Sequence, residues 1–172
     1  GYTVGLYSIA SHAISPTLYA KLPFDAEKDF TPISMLWAVP NIFVTKLAFP
    51  ANTVPELVAL VKANPGKYFF GSGGSGTSPH LCGEMLKQRA GLEMTHVPYR
   101  GGAPAMQDLL GGRFTGYFAA PPTALPHIES GKLTPIATTG LTRPAYLPNV
   151  PTVAESGYPG FQALNWYAFV AP

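Results

Sequence analysis

Apolar and polar positions fall in short blocks along this chain, and the blocks take two periods in turn. Asn41-Ile42-Phe43-Val44-Thr45 reads as a strand, whereas from Val54 to Ala63 the apolar residues Leu57, Val58, Leu60 and Val61 recur at helical spacing. That helix has a marked start, because Thr53 and Glu56 stand at capping-box spacing and Pro55 sits in the first turn. Asn64-Pro65-Gly66 stops it. A strand near Tyr68-Phe69-Phe70 then runs into Gly71–Gly76, and a second helix is predicted with Ser78 as N-cap and Pro79 at its first position, ending at Ala90-Gly91. The pattern repeats: strand Met94–Tyr99 and helix Pro104–Leu110, then strand Phe114–Phe118 and a short helix through Ile128. Strand Leu133–Thr138 closes the series, with Pro135 marking an edge position or a bulge.

This alternation predicts right-handed βαβ units, a mainly parallel sheet and an α/β fold, with residues 41–139 as a compact unit. The flanks, 1–40 and 140–172, are expected to be richer in irregular structure. In an open α/β sheet, ligands sit beyond the carboxyl ends of the strands, so the loops at 71–78, 100–103 and 119–122 are expected to share one rim. The terminal stretches Tyr2–Tyr7 and Trp166–Pro172 read as strands without their neighbours, and the expectation is a piece of a longer protein. Such a piece would expose apolar surface through Phe30, Leu36, Trp37, Trp166 and Phe169, and the expectation is self-association or poor order in the flanks unless the rest of the protein is present.

Composition narrows the function classes. Hydrophobic residues make up 47% of the chain and charged residues only 12%, about half the usual share, so a packed core is affordable and disorder is disfavoured. Net charge is +2 with no run of Lys or Arg, which argues against a nucleic-acid partner. Cys82 stands alone, so no disulfide framework exists. Residues 1–20 are interrupted by Gly, Ser, His and Pro and lack a positive leading region, so they read neither as a membrane span nor as a signal peptide.

The Gly71–Ser78 stretch carries the most chemistry. Its glycines let backbone approach a ligand closely, several N–H groups converge at a helix start, and Ser75, Thr77 and Ser78 add hydroxyl donors. Nothing in it is cationic, so it suits a carboxylate or small oxyanion held by neutral donors; a flexible turn with an ordinary cap is the plainer alternative. Gly71, Gly73 and Gly76 also satisfy G-x-G-x-x-G, the fingerprint of an NAD- or NADP-dependent oxidoreductase. That fingerprint wants an acid at the end of the next strand, where Tyr99-Arg100 stand instead, with Glu93 at the opposite end. Ser75 does not sit in a nucleophile elbow, because Thr77 replaces the second glycine. Cys82 lies among Leu81, Met85 and Leu86 as a structural thiol, and His12, His80, His96 and His127 lack metal-ligand spacing. Tyr99 and Arg100 either line the pocket or close a strand, and Arg113 is expected to face a helix terminus.

Several longer stretches resemble one family. Gly71-Ser72-Gly73-Gly74-Ser75-Gly76-Thr77-Ser78-Pro79-His80-Leu81, then His96-Val97-Pro98-Tyr99-Arg100-Gly101-Gly102-Ala103-Pro104-Ala105 and Asp108–Gly112, are similar to segments of the Bug (TctC-like) receptors. Leu22–Asp25, Lys28–Pro32, Asn64–Lys67, Leu125–Ile128 and Leu147–Glu155 extend the likeness in the same order. These receptors are extracytoplasmic solute-binding proteins of tripartite tricarboxylate transport systems. The resemblance implies a longer protein with a signal peptide and a type II periplasmic-binding-protein fold, closing two lobes on a small carboxylate. Residues 41–139 would be lobe two, and 1–40 with 140–172 part of lobe one. It implies a ligand held by Ser75, Gly76, Thr77 and Ser78 with help from Ser11, His12 and Tyr99. It also implies a periplasmic location and membrane transporter subunits as partners, with no catalysis, cofactor or metal. Ala119 stands where many relatives carry Asp, so an amino-acid ligand would lack a counter-charge; Ser75 replaces a frequent Asn.

Overall fold

The computed structural model describes residues 3–172 and builds two sheets. Tyr2, part of the predicted opening strand, lies outside the described residues. The larger sheet has the order β5-β4-β6-β3-β7, using β3 (Ile42–Lys46), β4 (Tyr68–Ser72), β5 (Met94–Pro98), β6 (Gly116–Ala119) and β7 (Leu133–Thr138). Between them run α2 (Val54–Ala63), α3 (Ser78–Ala90), α4 (Gly102–Leu110) and α5 (Pro121–Glu129).

Alternation along the strands sends successive side chains to opposite faces. Phe43, Phe70 and Phe118 pack with Leu57, Val61 and Leu86 of α2 and α3. Ile42, Val44, Tyr117 and Ala119 pack on the other face with Met106, Leu109 and Ala124 of α4 and α5. Leu57 is fully buried, so truncating it to Ala costs about 2–5 kcal/mol. The α2 cap forms as the sequence implies: Thr53 accepts from the Glu56 amide at 3.3 Å, while the Glu56 carboxylate takes the amide of Asn52 rather than that of Thr53.

Three expectations are corrected. The sheet is mixed, not mainly parallel: β4 pairs in parallel with β5 and β6, but β3 runs antiparallel to both β6 and β7. The chain enters this sheet through β3 from the other sheet, so its direction is set by that crossing and not by a βαβ unit. The N-cap of α3 is Thr77 rather than Ser78, which puts Pro79 at the second helical position. The first flank is also more regular than expected, because Thr31–Pro40 forms a ten-residue strand, β2. Pro135 does sit on an edge strand, β7, beside a register shift opposite Phe43 and Val44.

The second sheet is antiparallel in the order β1-β8-β2, with β1 at Gly5–Ser8 and β8 at Leu164–Ala171. A π-helical turn, Ala10–Ile14, and the short α1 (Ser15–Leu18) follow β1. The two sheets are tied where the chain crosses between them. Buried Asn41 donates its amide to Thr139 Oγ1 at 2.9 Å, the Thr139 amide donates to the Asn41 carbonyl at 3.0 Å, and the Ala163 amide donates to the Thr139 carbonyl at 2.9 Å. Ile33, Met35, Leu36, Trp37 and Phe169 are exposed on this sheet, whereas Phe30 and Trp166, also expected to be exposed, are half-buried. No helix among the described residues is long and apolar enough to cross a membrane.

Candidate functional site

A cleft of about 280 Å³ opens between the two sheets, at the carboxyl ends of β4, β5 and β6. Ser8, Ile9 and Ala10 wall it from the smaller sheet, with Asn165 and Tyr167 of β8 beside them. Gly73, Thr77 and Ser78 form the opposite wall, Gly101 and Gly102 the next, and Tyr117, Ala120 and Thr123 the floor. Loops 71–78, 100–103 and 119–122 therefore do share one rim.

Local chemistry shapes the β4–α3 loop. Thr77 donates its hydroxyl to the Gly74 carbonyl at 2.7 Å, and the Gly74 amide donates to Ser72 Oγ at 3.1 Å. Ser72 Oγ also lies 2.6 Å from His96 Nε2. Gly76, at φ +79°, donates its amide to His80 Nδ1 at 3.2 Å, so the His80 proton belongs on Nε2. The His80 and His96 rings stack 4.1 Å apart, and the His96 pKa is pushed down to about 4, first by burial and then by His80. Gly73 meets the β5–α4 loop closely: a Cβ there would stand 3.3 Å from the backbone of Gly101 and Gly102, and the Gly101 amide donates to the Gly73 carbonyl at 3.0 Å.

Among the described residues no charged side chain lines the cleft, and what charge it meets comes from helix dipoles. α3, α4 and α5 all begin at it, and each helix start carries roughly half a positive charge. The first-residue amides of α3 and α4, Ser78 and Gly102, have no intrahelical acceptor. α5 opens with Pro121-Pro122, which have no N–H to offer, and contributes its dipole and the Thr123 hydroxyl instead. Ser78, Tyr117, Thr123 and Asn165 line the cleft with side chains that have no protein hydrogen-bond partner among the described residues. Burial, and then Tyr167, raise the Tyr117 pKa to about 12, so its hydroxyl remains a neutral donor. Converging neutral donors with a positive dipole field suit a small anion.

The sequence-predicted residues divide. Thr77 and Ser78 line the cleft. Gly76 is buried behind them with its amide engaged by His80, and Ser75 is exposed at the loop tip, outside the cleft. Tyr99 turns away, donating to Asp108 Oδ2 at 2.9 Å, and Arg113 pairs with Asp108 Oδ1 at 2.8 Å rather than facing only a helix terminus. Ser11 donates to the Ser8 carbonyl at 3.1 Å, and the His12 ring packs among Tyr7, Phe24 and Phe30. The cleft takes Ser8–Ala10 from this segment instead. Ala119 points into the α4–α5 core, so the lining residue is its neighbour Ala120, as strand alternation requires. Cys82 is fully buried, accepts from Asn41 Nδ2 at 3.4 Å, and burial pushes its thiol up to about 12. The oxidoreductase fingerprint finds other employment: the place of a Gly71 side chain is filled by the Phe114 ring, and that of Gly76 by Leu18 at 2.6 Å. Sequence reasoning missed Tyr117, Thr123, Asn165 and Tyr167. A polar Asn inside the apolar run Leu164–Ala171 was the available signal for one of them.

Comparison with known proteins agrees with this geometry. The family model described as "Tripartite tricarboxylate transporter family receptor" (TctC) matches residues 1–172. Protein BugT of Bordetella pertussis is 36% identical over 173 residues, covering 100% of this chain and 53% of the relative. The R. palustris protein Rpa4515, solved with adipate, superposes with a TM-score of 0.95 at 33% identity, covering 100% of this chain and 57% of that one. The periplasmic binding protein BugD superposes at 0.92 with 36% identity, covering 99% of this chain and 57% of that one. This chain thus spans about half the length of the curated relatives it matches, and it has their mixed α/β fold. It belongs to the TctC family of tripartite tricarboxylate transporter receptors.

Proposed function

We propose that this chain is the greater part of the ligand-binding region of a periplasmic solute receptor, which captures a small carboxylate between two lobes and presents it to membrane transporter subunits. Residues 41–139 form lobe two, and 1–40 with 140–172 contribute to lobe one. The observation that carries this reading is a cleft lined by no charged side chain among the described residues, with Ser78 and Gly102, the first residues of α3 and α4, in its wall. A carboxylate there meets the Ser78 and Gly102 N–H groups, with the Ser78, Tyr117 and Thr123 hydroxyls and the Asn165 amide as further donors. The adipate bound to the R. palustris relative is of the same chemical class. Closure of the lobes removes the anion from water, which strengthens each of these hydrogen bonds. The role is passive: the cleft holds a solute and performs no reaction on it.

The test is a thermal-shift and calorimetric panel on the full-length protein, with adipate, propionate, benzoate, NAD and NADP. Saturable stabilisation by at least one acid is expected. Stabilisation by a dinucleotide and by no acid would overturn the receptor reading in favour of an oxidoreductase.

A further inference from the structure

Beside the cleft lies a second cavity of about 490 Å³, walled by Trp37, Val39, Pro121 and Pro122. The two cavities adjoin, because Ala120, Thr123, Asn165 and Tyr167 line both. The Trp37 and Tyr167 rings face one another across 5.1 Å at an interplanar angle of 42°, giving a tilted aromatic wall. Among the described residues no charged side chain lines this annex; Thr123, Asn165 and Tyr167 are shared with the cleft, and the Trp37 indole N–H is the one polar side-chain group the annex adds. Of the shared residues, Ala120 is the smallest and presents only a methyl group at the boundary.

We infer that the annex receives the tail of the bound solute, and that the preferred ligand is a monocarboxylate with an apolar, ring-bearing tail. This rests on the carboxylate reading above and specifies its substrate class. The carboxylate is held at the starts of α3 and α4, and the tail passes Ala120 to lie against Trp37 and Tyr167. An aromatic ring gains both from leaving water and from tilted contact with those rings. A second carboxylate carried into the annex would lose its hydration and meet proline and tryptophan carbons, so a short dicarboxylate is disfavoured there.

Calorimetric titration of the full-length protein with propionate, 3-phenylpropionate and adipate tests this. Each methylene equivalent removed from water multiplies affinity about fourfold, so 3-phenylpropionate is expected to bind at least about tenfold tighter than propionate. Trp37→Ala should erase most of that gap, by weakening 3-phenylpropionate several-fold more than propionate, and Trp37→Phe should keep it, because Trp37 lines the annex and reaches the cleft only through the Tyr167 ring. Val39→Ser, a smaller change at the same wall, should narrow the gap and serves if Trp37→Ala does not fold. The inference is overturned if 3-phenylpropionate binds no better than propionate while adipate or propionate still binds, or if the gap survives both wall substitutions. If no acid binds at all, the carboxylate reading itself fails and this inference with it.

Discussion

Removing the Ser78 hydroxyl isolates the cleft's contribution to anion capture from its contribution to folding. The residue is buried, lines the cleft at the first position of α3, and its hydroxyl has no protein partner among the described residues. Ser78→Ala therefore breaks no internal hydrogen bond, and alanine favours a helix slightly more than serine does. Losing one hydrogen bond to a charged group costs about 1.5–3 kcal/mol, which is about 10- to 150-fold in affinity. Titration of an acid ligand into the full-length variant should show a loss of that size, with a melting temperature equal to or above the parent's. Ser75→Ala is the internal control: it removes a hydroxyl three residues away, outside the cleft, and should leave affinity unchanged. Unchanged binding in Ser78→Ala together with lost binding in Ser75→Ala would refute the placement of the anion.

Three further outcomes follow from the same geometry. Gly76→Val forces a β-branched residue into φ +79° and drives its Cβ to 2.6 Å from Leu18, so chemical denaturation should show a loss of about 2–3 kcal/mol, and Gly76→Asn a smaller one. His96 titrates near 4 when folded against 6.5 when unfolded, so the unfolded state binds the extra proton between those values. Stability is full above about 6.5 and falls as pH drops toward 4, by about 1–2 kcal/mol after allowance for the ring's solvent contact; His96→Gln should flatten that part of a melting-temperature profile. The Cys82 thiol, buried and pushed up to about 12, should resist alkylation at pH 8 in the folded protein and react on unfolding, and Cys82→Ala should not alter ligand affinity.

Where local chemistry decides an element, the sequence was readable to the residue. α2 begins and ends at Val54 and Ala63 because Thr53, Pro55, Glu56 and Asn64 each act within one turn. Where pairing partners lie far along the chain, it was not. β3 looks like any buried strand, and only its crossing from the other sheet sets it antiparallel. β2 escaped because Pro32 and Pro40 suggest an interruption, while its exposed face has no alternation to read; the prolines are tolerated on an edge strand with register shifts near them. The site divides along the same line. Loop 71–78 announces itself through its glycines and hydroxyls, and Thr77 and Ser78 do face the cleft. Tyr117, Asn165 and Tyr167 come from strands, where facing a cleft or a core depends on register, and a shift of one residue is what separates Ala119 from Ala120. His12 was drawn into an aromatic cluster with Tyr7, Phe24 and Phe30, a contact no local rule foretells.

The central claim is that a carboxylate is held by the first amides of α3 and α4, and backbone amide NMR shifts reach those atoms directly. In isotope-labelled full-length protein titrated with adipate or 3-phenylpropionate, the Ser78 and Gly102 amides should move downfield and saturate with the calorimetric affinity. The Gly76 amide, already donated to His80, should move less, and those of Ser11 and Asp108 should stay in place. Saturable binding that leaves Ser78 and Gly102 unmoved and shifts amides elsewhere would contradict the account.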